Sequence, residues 1–71
     1  MPKYTIVIEK ANGNYSAYCP DLPGCIATGA TVEETTERMK GAIEFHIEGL
    51  KAQGFDVPPP ASTATLVEVA L

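Results

Sequence analysis

The chain has 71 residues and a formal net charge of −4; 45% of the residues are hydrophobic and 20% are charged. A single core of this size stabilises a fold by only about 3–5 kcal/mol, so we expect one small domain that gains from a partner chain. Nucleic-acid binding relies on basic residues that neutralise phosphates, and five lysines and arginines scattered along the chain form no basic patch.

The N-terminus, the apolar segments and the cysteines together indicate a protein of the cytoplasm. The N-terminus leads directly into an alternating segment instead of a signal sequence. No apolar run approaches the roughly 20 residues that a membrane-spanning helix requires. In a reducing compartment the two cysteines are expected as free thiols. The acidic balance favours a basic protein as partner, with no direct contact to nucleic acid or membrane.

The first 19 residues predict a β-hairpin. Residues 3–10 (KYTIVIEK) alternate between two faces, as the period of a strand requires. Asn12-Gly13 suits a tight hairpin turn, because both residues tolerate positive φ. A second strand is predicted at residues 15–19.

The next stretch predicts a rigid loop and a third strand. Pro20 ends the second strand, because proline cannot donate a backbone hydrogen bond to a sheet. Pro23 and Gly24 suit the two central positions of a type II turn. Residues 25–30 then form a short third strand with small side chains that allow a neighbouring backbone to approach closely.

A long helix is predicted to follow. Thr31 and Glu34 have the spacing of a capping box, and Gly54 is the expected left-handed residue after the C-terminus near Gln53. Phe45 points away from the sheet, toward a second and smaller apolar surface. The stripe predicted to pack on the sheet consists of Val32, Met39, Ile43, His46 and Leu50, with Ala42 and Ile47 beside it.

The last part of the chain predicts an extended connection at residues 55–61 and a fourth strand at residues 65–71. A right-handed crossover through the helix would place that strand parallel to the first. The fold class is therefore α+β with the order β-β-β-α-β, in one domain over residues 1–71 without a C-terminal DNA-binding domain. One helix covers one face of the sheet, so we expect another chain to bury the remaining apolar surface.

No catalytic or metal site is predicted. Cys19, Cys25 and His46 fall short of the four ligands of a structural zinc site, and two buried hydrophobes and a packed histidine are the favoured interpretation. A metal-dependent nuclease would need carboxylates that converge on two cations. The candidates for such a cluster are Glu9, Asp21, Glu44 and Glu68, and their spacing brings no such group together.

The central motif resembles the HicB-like antitoxin family. The resemblance rests on C-P-D-L-P-G-C at residues 19–25, G-x-T-x-E-E at residues 29–34, a long helix, and three prolines at residues 58–60 before the last strand. It covers essentially the whole chain. The residues that carry the structural motif are Pro20, Pro23, Gly24, Cys25, Thr31 and Glu34.

The resemblance implies a truncated ribonuclease-H-like fold without nuclease activity or cofactors, in a chain that assembles into a homo-dimer or tetramer. It implies a non-catalytic protein that neutralises a small basic mRNA interferase, a HicA-like toxin, by direct contact. We expect the partner-binding residues to be Asp21 and Leu22 in an exposed loop and Glu37, Glu44, Phe45 and Glu48 on the helix. The alternatives are a stand-alone oligomer that binds only itself and a relic of a metal-dependent nuclease.

Overall fold

A computed structural model describes residues 2–71. The elements in chain order are β1 (Val7–Ala11), β2 (Asn14–Tyr18), β3 (Ile26–Gly29) and α1 (Val32–Ala52). The strands form one antiparallel sheet in the order β1-β2-β3. The predicted α+β class, with three antiparallel strands followed by one long helix, is confirmed.

The two turns of the sheet lie where the sequence predicts, although only Gly13 of the Asn12-Gly13 pair has a positive φ. Ala11 lies opposite Asn14 across the hairpin, and Gly13 between them has a φ of 76°. In the second turn the Cys25 N–H donates to the Leu22 carbonyl oxygen over 3.1 Å, and Gly24 has a φ of 84°. A positive φ at the second central position defines a type II turn, so the Pro-Gly prediction is confirmed.

The helix begins and ends where the sequence predicts, with one difference at its start. The Thr31 hydroxyl accepts from the Glu34 N–H over 3.0 Å. The Glu34 carboxylate does not return a bond to Thr31 in the described structure; it forms an ion pair with Arg38, one turn further along. Half of the predicted capping box is therefore formed. The helix ends before Gly54, whose φ is 75°.

The core lies between the helix and one face of the sheet. The partly buried side chains around it include Ala42, Ile43, Ile47 and Leu50, so most of the predicted stripe packs as expected. Val32, the first residue of the helix, is 43% exposed, so its predicted packing is wrong. The buried residues are Ala17, Cys19, Leu22, Cys25, Met39 and Thr35.

The helix approaches the third strand at Gly29. A Cβ atom on this glycine would lie 2.6 Å from the Thr35 hydroxyl oxygen and 2.9 Å from the Thr35 backbone nitrogen. Thr35 is itself fully buried, and its hydroxyl donates to the Thr31 carbonyl oxygen. The small residues of β3 therefore do allow the close approach that the sequence predicts.

The fourth strand is not formed within the chain. Residues 65–71 are exposed and pair with no strand among the described residues. Alternation of apolar residues favours a strand, but a strand also needs a neighbouring edge that it can reach. Residues 63–71, which we call the C-terminal arm, leave the sheet instead. Within residues 2–71, no helix is both long and apolar enough to cross a membrane.

Candidate protein-binding surfaces

Asp21 holds the C-terminal segment against the body of the protein. One carboxylate oxygen accepts from the backbone N–H of Ala61 (2.9 Å) and of Ser62 (3.0 Å), and the other accepts from the Ser62 hydroxyl (2.9 Å). The backbone bond from Ala61, followed by the two bonds from Ser62, lowers the pKa of the Asp21 carboxyl below its usual value. The side chain that we expected to meet a partner is thus engaged within the chain.

Leu22 is buried completely, and its predicted exposure is wrong. The loop folds back on itself because the Leu22 N–H donates to Cys19 and its carbonyl accepts from Cys25. This turn directs the leucine side chain into the core with Met39. Leu22 therefore shapes the loop and is removed from the set of candidate partner contacts.

Three glutamates form an acidic ridge on the exposed side of α1. Glu37, Glu44 and Glu48 are all exposed. Their spacings of seven and four residues place them within roughly 20° of one line along the helix, opposite the buried Met39. The ion pair found among residues 2–71 joins Arg38 to Glu34, so the three ridge carboxylates are available to an outside cation.

Phe45 lies on one flank of this ridge. Its side chain is 78% exposed, roughly 80° around the helix from Glu37, and Gly49 follows one turn later. With His46, Leu50 and Gln53, these two residues line a shallow depression of about 240 Å³. His46 is half-buried there. The predicted second apolar surface is therefore present, with an aromatic ring beside an acidic ridge.

A second groove lies on the opposite flank of the helix, beside the N-terminal segment. It has a volume of about 250 Å³, and Ile43 and Ile47 of the helix face Tyr4 across it. The N-terminal segment beside this groove leads into β1, and β1 forms an edge of the sheet with no further strand beside it in the described structure. Its remaining lining residues are Pro2, Lys40 and Glu44.

The structure does not bring the candidate catalytic groups together. Glu9 lies on β1, Asp21 in the loop, Glu44 on the helix and Glu68 in the arm. Among the described residues, no three histidine, cysteine or acidic side chains are close enough to hold a metal ion. Cys19 and Cys25 are free, buried thiols. Burial, and then the neighbouring Cys19, raise the pKa of the Cys25 thiol, which makes it a weak nucleophile at neutral pH.

Sequence reasoning missed the anchoring of the last segment. The Tyr4 hydroxyl donates to the Pro58 carbonyl oxygen, and the Thr5 hydroxyl donates to that of Ser62 over 2.7 Å. These contacts join residues more than 50 positions apart, and nothing in the local pattern of either segment indicates them. The one available signal was Asp21 itself, a carboxylate in a rigid loop with no basic residue nearby in sequence.

Comparison with known proteins gives consistent matches. The family described as "HicB_like antitoxin of bacterial toxin-antitoxin system" matches residues 4–70. The UPF0150 protein ssr1765 of Synechocystis sp. is 45% identical over 56 residues, which cover 78% of this chain and 71% of that protein. The UPF0150 protein Ta0767 of Thermoplasma acidophilum is 40% identical over 57 residues, covering 79% and 83% of the two chains.

Two further matches differ in extent. An uncharacterized 14.9 kDa protein of Haemophilus phage HP1 is 44% identical over 55 residues, and this chain spans 41% of its length. A chain of a solved HicA3 and HicB3 toxin-antitoxin complex superposes with a TM-score of 0.73 at 35% identity. That alignment covers 83% of this chain and 70% of the solved one.

Proposed function

Because the chain belongs to the HicB-like antitoxin family, we propose that it is a non-catalytic antitoxin that neutralises a small, basic HicA-type mRNA interferase by direct contact. The observation that carries this proposal is the structural similarity, at 35% identity and a TM-score of 0.73, to a chain of a toxin-antitoxin complex. Binding that occludes the toxin's RNA site would suffice for inhibition and would take place in the cytoplasm, where mRNA is translated.

The acidic ridge and Phe45 form the surface best suited to such a toxin. A basic protein is attracted over a distance by Glu37, Glu44 and Glu48, whose carboxylates form no ion pair among residues 2–71. Once the two proteins touch, the exposed ring of Phe45 can fill an apolar pocket of the toxin. Charges accelerate the encounter and set the orientation, whereas a desolvated aromatic anchor supplies most of the affinity.

Binding of a purified HicA-type toxin to ridge variants tests this surface. Glu48→Lys removes one attractive charge and adds a repulsive one, and we expect about tenfold weaker binding, mainly through slower association. Phe45→Ala removes the anchor and should cost about 2 kcal/mol or more, which is about thirtyfold in affinity. Calorimetry gives the affinity, and inhibition of RNA cleavage by the toxin gives the functional consequence.

Glu9→Lys is the matched control. It changes the net charge by the same amount on an exposed position of β1, away from the helix. An equal loss of binding in both lysine variants would show that only overall charge matters and would refute the ridge as the contact. If the unmodified protein neither binds nor inhibits the toxin, the antitoxin function itself is refuted.

A second candidate function is self-association without a toxin, in a homo-dimer or tetramer. The observation that favours it is the exposed C-terminal arm, in which Leu66 is 99% and Val67 is 77% exposed. Light scattering of the purified protein together with the toxin-binding assay separates the two functions. A stable oligomer that ignores the toxin would favour this alternative.

A further inference from the structure

The C-terminal arm is an unpaired strand held in a defined position. Its root is fixed by the three hydrogen bonds of Asp21 and by the bond from Thr5 to Ser62. Beyond this root the chain extends so far that the molecule measures 48 × 26 × 20 Å, with a radius of gyration of 13.7 Å. A compact chain of this length would have a radius of gyration of about 11 Å. The arm is therefore anchored at one end and detached along the rest.

The arm has the side-chain pattern of a buried strand. Along residues 65–71, Val67, Val69 and Leu71 share one face with Thr65, and the other face consists of Leu66, Glu68 and Ala70. Leu71 is completely exposed, and Val69 is 64% exposed. So much apolar surface on one short segment indicates an interaction site and not a solvated tail.

A complementary site is present on the same molecule. β1 forms one edge of the sheet, and every second residue of an edge strand points its backbone N–H and C=O groups outward. The groove between Tyr4 and the helix residues Ile43 and Ile47 lies beside the segment that leads into this edge strand. A strand added to β1 would satisfy the open backbone groups and would place alternate side chains in this groove.

We propose that two copies of this chain exchange their arms, so that residues 65–71 of each copy form a fourth strand, parallel to β1, in the other. Val67 and Val69 enter the groove against Ile43 and Ile47, and Glu68 faces outward. The exchange is reciprocal and closes a twofold dimer. The exchange also completes the four-stranded sheet predicted from the sequence, but the fourth strand comes from the other chain. The proposal does not depend on the toxin.

Pairing of the two arms with each other is a weaker arrangement. An isolated two-stranded ribbon is marginally stable in water, and it would leave both the β1 edge and the groove empty. Addition to β1 instead extends an existing three-stranded sheet and buries one face of the arm against the helix. Glu44 of the acidic ridge borders the groove, whereas Phe45 lies on the other flank of α1. Glu37 and Glu48 do not line the groove either, so the dimer leaves these three residues of the proposed toxin surface free.

The oligomeric state of two adjacent single variants tests the exchange. Val67→Lys would bury an ammonium group against Ile43 and Ile47, in a groove where Lys40 and Glu44 carry opposite charges. Because burial of the charge is costly, we expect self-association at least about tenfold weaker, measured by sedimentation equilibrium. Glu68→Lys, one residue further and on the outward face, should remain dimeric. Both residues are exposed in the single chain, so neither variant should change the circular dichroism spectrum of the fold.

The contacts themselves are detected in a sample that mixes isotope-labelled and unlabelled chains. Filtered nuclear Overhauser spectra should show the methyl groups of Val67 and Val69 close to Ile43 and Ile47 of a different chain. A wild-type protein that is monomeric at micromolar concentration would overturn the proposal. So would a dimer in which these contacts are absent or occur within one chain, or one that Val67→Lys leaves intact. Each result is independent of toxin binding.

Discussion

At the scale of single residues, Asp21 shows most clearly what a local pattern leaves open. The proline loop around it predicts a turn, and the turn is formed. The direction of the side chain depends on Ala61 and Ser62, which are 40 residues away in sequence. Leu22 follows the same rule. We expected its side chain to be exposed because it lies in a loop, but the side chain is buried in the core. Backbone conformation is a local property, whereas the contacts of a side chain belong to the whole fold.

The anchor made by Asp21 predicts a response to acid. Its hydrogen bonds lower the pKa of the carboxyl below the ordinary value of 3.8. The stabilisation is therefore fully present above that value and is lost as the pH falls through the still lower pKa of the folded protein. The amide resonances of Ala61 and Ser62 should stay constant at neutral pH and shift only below about pH 3.8, where the carboxyl gains its proton.

Two variants of Asp21 separate the effect of the carboxylate's charge from the effect of its hydrogen bonds. Asp21→Asn keeps an oxygen that can accept from both amides and has no proton to gain. The amide resonances of Ala61 and Ser62 should therefore not shift as the pH is lowered. Asp21→Ala removes the acceptor, and exchange of both amide hydrogens should be faster at all pH values. Acid shifts that persist in Asp21→Asn would show that another group causes them.

At the scale of the secondary-structure elements, the sequence predicted conformations well and pairings less completely. Three strands and the helix lie where alternation, turn residues and capping residues indicate. The fourth strand was expected from the same kind of alternation, and residues 65–71 pair with no strand in the described structure. Alternation cannot identify the edge that a strand joins, because pairing depends on where the chain is anchored. The groove beside β1 was not predictable either, since it forms only when the N-terminal segment and α1 come together.

The contact between β3 and α1 predicts a strong effect of one methyl group. Gly29→Ala would force the helix to move, because the added Cβ would lie 2.9 Å from the Thr35 backbone nitrogen. Overpacking of this kind costs about 1–3 kcal/mol in the free energy of unfolding. Urea denaturation at one fixed protein concentration measures the loss.

Gly41→Ala provides the matched control within the helix. Nothing lies within 4 Å of a Cβ at that position, and alanine is favoured over glycine in a helix interior by about 0.5–1 kcal/mol. The same substitution should therefore destabilise the protein at residue 29 and stabilise it at residue 41. Equal effects at both sites would contradict the close approach of the helix to β3.

At the scale of the whole molecule, the helix separates two surfaces. One flank carries Phe45, and the other carries Ile43 and Ile47 beside the segment that leads into β1, with Glu44 of the acidic ridge bordering this second flank. The sequence predicted that apolar surface would remain for a second chain, because one helix covers one face of the sheet. It could not assign the two surfaces to different partners, since that distinction depends on which flank of the helix adjoins the edge strand.

This separation predicts that toxin binding and self-association vary independently. Val67→Lys should weaken the dimer while the affinity of each chain for the toxin stays within about twofold of wild type. Phe45→Ala should weaken toxin binding and leave the dimer unchanged. The double variant should lose both, with free-energy changes that add within about 0.5 kcal/mol, as expected for sites that share no contacts. Sedimentation equilibrium and calorimetry on the same preparations supply the two affinities. A toxin that binds Val67→Lys much more weakly than wild type would show that its site spans both copies of the dimer, and the assignment of each flank to its own partner would then be wrong.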